Sequence, residues 1–178
     1  MKSMSVTNDA ESSPTRGSIL TPSTTDTEKP DIFQACPPFS TTGGMGSVPE
    51  AGKYYMIRDL DSDRVITLDN GRLTLRADVG TAGGWQWCCI ETPDGWLGFR
   101  EKTSGKLLGR DGRGGFRADA WKFDSWEKLV LRPVQKGGYH MSAIDWWTLL
   151  RIGIHQATGS LMEVRSATEA ARWEFVEV

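Results

Sequence analysis

One phrase in this chain is written twice, and that repetition restricts the possible folds more than any other feature. "NGRLTLRADVGTAGGW", Asn70 to Trp85, returns in degenerate form as "DGRGGFRADAWKFDSW", Asp111 to Trp126. Gly71 matches Gly112, Arg76-Ala77-Asp78 matches Arg117-Ala118-Asp119, and Trp85 matches Trp126, all at an offset of 41 residues. A partial third copy follows, with Trp173 lying 47 residues after Trp126. Each of these tryptophans precedes an amide or acid (Gln86, Glu127, Glu174) and then apolar residues two apart: Cys88 and Ile90, Leu129 and Leu131, Val176 and Val178. Such alternation describes a strand sunk into a core at fixed depth. A period of about 20–50 residues marks one supersecondary unit used repeatedly.

From Lys53 onward, twelve short apolar-rich runs surround these phrases, from "YYMIRDL" to "WEFVEV". Turn signals such as Asn70-Gly71, Asp111-Gly112 and Thr158-Gly159 separate them. Asn-Gly and Asp-Gly favour tight hairpins because both central positions of a type I′ turn need positive φ. Helix-favouring composition is confined to "SATEAARWEF", which is too short to change the class. The units run Tyr54 to Glu91, Trp96 to Arg132 and Tyr139 to Val178, with four strands in each. This pattern predicts an all-β fold, a β-trefoil, in which three four-strand repeats form a pseudo-threefold barrel capped by hairpins. A propeller needs more blades than the chain allows, and a two-sheet sandwich does not require a threefold phrase. Trp85, Trp126 and Trp173 are expected at equivalent core positions. The repeated Arg-Ala-Asp is expected to mark an Arg–Asp pair holding a hairpin, the alternative being a pair of anion-binding arginines. The extra length of the third unit is assigned to "GGYHMSAIDWWTLLRIGIHQ".

Residues 1–52 differ in kind from residues 53–178. They are rich in Ser, Thr, Pro and Gly, hold no Trp or Tyr, and carry three basic against six acidic residues. Too little apolar surface is available there to offset ordering entropy, so a disordered tail is expected, followed by the β-trefoil domain. The whole chain has a formal net charge of −2, which gives no electrostatic reason to expect nucleic acid or an anionic membrane as partner. No apolar run approaches the roughly 20 residues needed to cross a bilayer, and the first residues have no apolar signal region. A cytoplasmic, monomeric protein is expected. Three cysteines without a Cys-x-x-Cys spacing make neither a disulfide framework nor a zinc site; Cys88 and Cys89 read as core fillers on opposite faces of a strand.

"GWLGFRE" (Gly95 to Glu101), "SGKLLGRDG" (Ser104 to Gly112) and the terminal "WEFVEV" (Trp173 to Val178) resemble the fascin-like β-trefoil proteins, in particular small single-domain fungal members. The resemblance covers the last 126 residues and implies a binding module, with actin as a possible class of partner. No actin-contacting motif maps onto the chain residue by residue. Ricin-type lectins form the other large trefoil group. Their repeated Gln-x-Trp signature is missing, because Gln86 directly precedes Trp87 and the other units have no Gln there.

Motifs for catalysis are sparse. "SGKL" lacks the spacing of a phosphate loop, no Gly-x-Ser-x-Gly elbow occurs, and nothing calls for a cofactor or a metal. His140 and His155, with Asp145 between them, are the one cluster resembling a general acid–base set. Asp145-Trp146-Trp147 stands out, since adjacent tryptophans in a strand face opposite sides. One ring is expected in the barrel and the other in solvent, free to stack on a sugar or anchor a protein interface. The expected function is therefore a non-enzymatic module recognising a protein partner, a cytoskeletal one on the fascin-like resemblance, through Trp146, Trp147, Asp145, His140 and His155. The alternatives are a carbohydrate-binding lectin and a small enzyme or cyclase with a pocket in the third unit.

Overall fold

The computed structural model describes residues 47–80 and 83–178. The first unit contributes β1 (Tyr54–Asp59), β2 (Val65–Asp69), β3 (Arg72–Arg76) and β4 (Gln86–Glu91). The second contributes β5 (Leu97–Glu101), β6 (Leu107–Arg110), β7 (Phe116–Ala120) and β8 (Leu129–Pro133). The third contributes β9 (Tyr139–Asp145), β10 (Thr148–Ile154), β11 (Leu161–Val164) and β12 (Trp173–Glu177). A short 3-10 helix, Ser125–Glu127, precedes β8. Of the expected tail, residues 1–46, Cys36 among them, lie outside the described ones, whereas at its end the Ser47 amide donates to the Phe175 carbonyl at 3.1 Å and the Gly52 amide to the Cys89 carbonyl at 2.8 Å.

The first and last strands of each unit close on one another. β1 pairs with β4 and β12, β5 with β4 and β8, and β9 with β8 and β12, giving a closed barrel of six antiparallel strands. β2–β3, β6–β7 and β10–β11 are the three hairpins that complete a β-trefoil. Side chains alternate across each barrel strand, so Tyr55, Ile57, Trp87, Cys89, Phe99, Met141, Trp173 and Phe175 all fall in the buried core. Phe175 lies among the core aromatics, stacked on Phe99 at 5.3 Å and met edge-on by Tyr55 and Tyr139. Burial pushes the Cys89 thiol up to about 12, and Cys88 is half-buried beside it.

Strand register corrects the expected core tryptophans. Trp87 sits opposite Tyr55 and Glu101, Leu129 opposite Leu97 and Ala143, and Trp173 opposite Tyr139 and Asp59. The equivalent positions are therefore Trp87, Leu129 and Trp173, at offsets of 42 and 44 residues. Trp85 is half-buried against a side cluster of Met56, Val65 and Val79, while Trp126 is 43% exposed in the 3-10 helix. The literal match at 41 is one residue out of structural register, and a slip of one residue exchanges the two faces of a strand.

The arginine triplets are also out of register, here by two residues. Leu75 faces Ile66 and Ala118 faces Leu108, so Arg76 ends β3 whereas Arg117 is the second residue of β7. Each arginine binds an aspartate in its hairpin, Arg117 the one in its own triplet, Arg76 one outside it. Arg76 binds Asp69 at 2.9 Å, and Arg117 binds Asp119 at 2.8 Å and the Arg110 carbonyl at 2.9 Å. Asp78 instead accepts from the Gly80 amide.

Candidate functional site

Asp145 pairs with Thr148, which makes Trp146 and Trp147 the two central residues of the β9–β10 turn. They are not strand neighbours on opposite faces. Both rings stand in solvent, 85% and 94% exposed, so the expectation that one fills the barrel is corrected. Trp146 has a φ of 52°, a left-handed conformation that bulky residues rarely adopt. The surrounding ladder holds it, with the Thr148 hydroxyl donating to the Asp145 carbonyl at 3.1 Å.

Arg110, at the end of β6, fixes the root of this turn. Its guanidinium donates to the Asp145 carboxylate at 2.8 Å and to the Ile144 carbonyl at 3.0 Å, and its Nε donates to Glu163 on β11. Arg110 thus ties the second unit to two strands of the third. Ile144, Asp145 and Trp146 line a cleft of about 500 Å³ together with Arg110, Gly112, Ser125, Trp126 and Lys128.

The 3-10 helix sets Trp126 in place. Asp124 caps it by accepting from the Ser125 amide at 2.7 Å, and the Glu127 carboxylate accepts from the Asp124 amide at 3.0 Å. Each terminal group satisfies the other, forming a capping box. Burial pushes the Glu127 carboxyl above its usual range, although the bond from Asp124 pulls the other way. The Trp126 indole lies over Gly112, where a Cβ would come within 2.8 Å of the ring. That close approach and a φ of 72° both require glycine. Gly71 serves only the second need, since nothing approaches within 4 Å of it.

A second cleft of about 490 Å³ adjoins on the other side of Trp126, lined among others by Arg117, Trp121, Lys122 and Asp124. Trp121 is 63% exposed, with the Lys106 ammonium 4.0 Å from its ring centre. Arg117 lies 5.3 Å from the Trp126 ring centre.

The two histidines do not join Asp145. His155 sits in the β10–β11 turn, where its Nδ1 accepts from the Thr158 amide at 3.3 Å. It lines a separate cavity of about 910 Å³ with Asp59, Glu163, Arg165 and Glu169. That cavity is larger, but its apolar walls are aliphatic, from Ile154, Met162 and Val164, with no Trp, Tyr or Phe among the described residues lining it. His140 lies at the start of β9, opposite Arg132 and about 17 Å along the strand from Asp145. Burial, with Arg151 and Arg172 nearby, holds its imidazole below the usual range. Asp145 and Trp146 therefore share a cleft, Trp147 stands clear of it at the turn tip, and no acid–base set is assembled. Among the described residues, no three His, Cys, Asp or Glu are grouped to hold a metal ion.

Sequence reasoning missed Trp121, Arg110, Lys128 and the exposed role of Trp126. One signal was readable. "DSWE", Asp124 to Glu127, has the spacing of a capping box and marks a helical turn where the repeat suggested a strand.

No protein-family model and no curated protein matches the sequence. Solved structures do match. The designed threefold-symmetric protein ThreeFoil superposes with a TM-score of 0.60 at 16% identity, over 70% of this chain and 99% of its own. The Macrolepiota procera ricin B-like lectin, solved with lactose, gives 0.58 at 14% identity over 74% of this chain and 100% of its own. SeviL, solved with the asialo-GM1 saccharide, gives 0.57 at 13% identity over 72% and 99%. A GlcNAcα1-4Gal-releasing endo-β-galactosidase from Clostridium perfringens is matched over only 32% of its length. At these identities the likeness establishes the β-trefoil fold.

Proposed function

We propose that this β-trefoil is a carbohydrate-binding module whose site is the cleft between Trp126 and Trp146. The observation that carries the reading is the pair of solvent-exposed indoles lining one cleft together with the fixed Arg110–Asp145 pair. The C–H faces of a sugar ring pack on an indole, while its hydroxyls need donors and acceptors at set positions. Ser125, Lys128 and Asp145 supply these at the cleft wall. Holding the groups in place before the ligand arrives lowers the ordering cost of binding. Trefoils of similar fold that were solved with lactose or the asialo-GM1 saccharide support the same reading.

A glycan array followed by titration calorimetry tests it. Wild type is expected to bind a subset of glycans, and Trp146→Ala to lose them without a change in the denaturation midpoint. Unchanged binding by Trp146→Ala, or no glycan bound by wild type, overturns the proposal.

One observation favours a second reading, recognition of a protein, of which actin is the class that the fascin-like resemblance implies. Trp147 is 94% exposed and does not line the Trp126–Trp146 cleft, as an interface anchor would be. Co-sedimentation with filamentous actin that is lost in Trp147→Ala would establish this reading in place of the first.

A further inference from the structure

We infer that the clefts on either side of Trp126 form one continuous surface for an extended oligosaccharide rather than a pocket for a terminal sugar. This inference rests on the carbohydrate reading above and specifies its ligand.

The two clefts, about 490 and 500 Å³, are not independent, because Ser125 and Trp126 line both. Together they set three indoles in series, Trp121, Trp126 and Trp146, each at least 43% exposed. Two of the rings are braced by packing. Lys106 lies over Trp121, which also rests at 3.4 Å from where a Gly105 Cβ would stand, and Trp126 lies on Gly112 with Arg117 nearby. An aromatic ring braced on one side and open on the other is a platform, and a row of platforms suits a ligand with repeating apolar faces. A single sugar has no use for the row.

The polar groups agree with this. The acids along the row are already engaged, Asp124 and Glu127 in the capping box and Asp145 by Arg110. Lys122 and Lys128, one in each cleft, have no carboxylate at ion-pair distance among the described residues. Each can donate hydrogen bonds to the hydroxyl and ring oxygens of a chain lying along the indoles.

The test is titration calorimetry with ladders of β-linked glucose, N-acetylglucosamine and galactose, from mono- to hexasaccharide. Affinity in the preferred ladder is expected to rise about tenfold or more once the chain is long enough to reach both clefts. Trp121→Ala is expected to remove that gain while leaving disaccharide affinity and the denaturation midpoint unchanged. A disaccharide that binds as tightly as the hexasaccharide, with Trp146→Ala abolishing both, overturns the extended surface and leaves the carbohydrate reading standing. A length dependence that survives in Trp121→Ala also overturns it. No binding by any ladder, together with an empty glycan array, removes the carbohydrate reading and this inference with it.

Discussion

Trp173 and Trp126 look alike in the sequence pattern but do opposite work. Trp173 is fully buried opposite Tyr139, whereas Trp126 lies at the surface between two clefts. Trp173→Ala should destabilise the fold by about 3–5 kcal/mol, the usual cost of emptying a large aromatic site. Trp126→Ala should cost about 1 kcal/mol or less and act on binding instead. Urea denaturation of both variants checks the contrast, and equal shifts would refute it. Glu101 is a second residue whose role is local. Its buried carboxylate accepts from the Thr103 amide at 2.8 Å and the Ser104 amide at 2.6 Å, closing the β5–β6 turn. Burial works to raise its carboxyl, but the bonds from Ser104 and Thr103 outweigh it and hold the group below its usual range. A depressed carboxylate stabilises the fold above its unfolded value, about pH 4.3, and that contribution is lost as pH falls through the folded value. Glu101→Gln should therefore flatten the acid limb of a stability–pH curve, and an unchanged limb would show that the turn does not depend on the charge.

At the level of elements, the 3-10 helix carries more of the proposed site than any strand does. Asp124→Ala removes its cap, a change worth about 0.5–2 kcal/mol, and frees Trp126 from its position over Gly112. The expected outcome is a small loss of stability with a disproportionate loss of glycan affinity. Unaltered affinity would mean that the helix does not position the ring. This element also shows where the sequence misled. The twelve apolar runs and their turns were legible because alternation and Asn-Gly or Asp-Gly signals are local properties. Unit boundaries at Tyr54, Trp96 and Tyr139 followed from them and lie within one residue of β1, β5 and β9. Register was not legible, because a matching phrase carries no mark of which face it presents. The tryptophan match therefore landed one residue off, and Trp146 and Trp147 were read as strand when the Asp145–Thr148 pair makes them a turn. Of the proposed site, Asp145 and Trp146 stood out in the sequence through their unusual chemistry. Arg110, Trp121 and Lys128 were not, since only folding brings β6 and the β7–β8 connection beside the β9–β10 turn.

At the scale of the whole barrel, the structure is held closed where β12 meets β1. β12 pairs with β1 along five residues, and within that seam Arg58 binds Glu174, both almost fully buried, while also reaching Asp63 at 2.7 Å. Closure leaves the barrel no open edge. Glu174→Ala takes a close partner from the buried Arg58 guanidinium, which keeps Asp63, and should cost up to about 3–5 kcal/mol, visible as a lowered thermal midpoint. A midpoint within error of wild type would show that the seam is held by its backbone ladder alone. A closed, rigid barrel is also what allows surface turns to carry a site without moving it. Trp126 comes from the second unit and Trp146 from the third, and the Arg110 links to Asp145 and Glu163 keep the two in fixed relation. The most direct measurement is a crystal structure of the protein with the tightest-binding oligosaccharide from the array. The account predicts sugar rings stacked on Trp126 and Trp146, with a hydroxyl within hydrogen-bonding distance of Lys128 or Asp145. A saccharide lodged instead beside His155 and Glu169, with both indoles still bare, would contradict it.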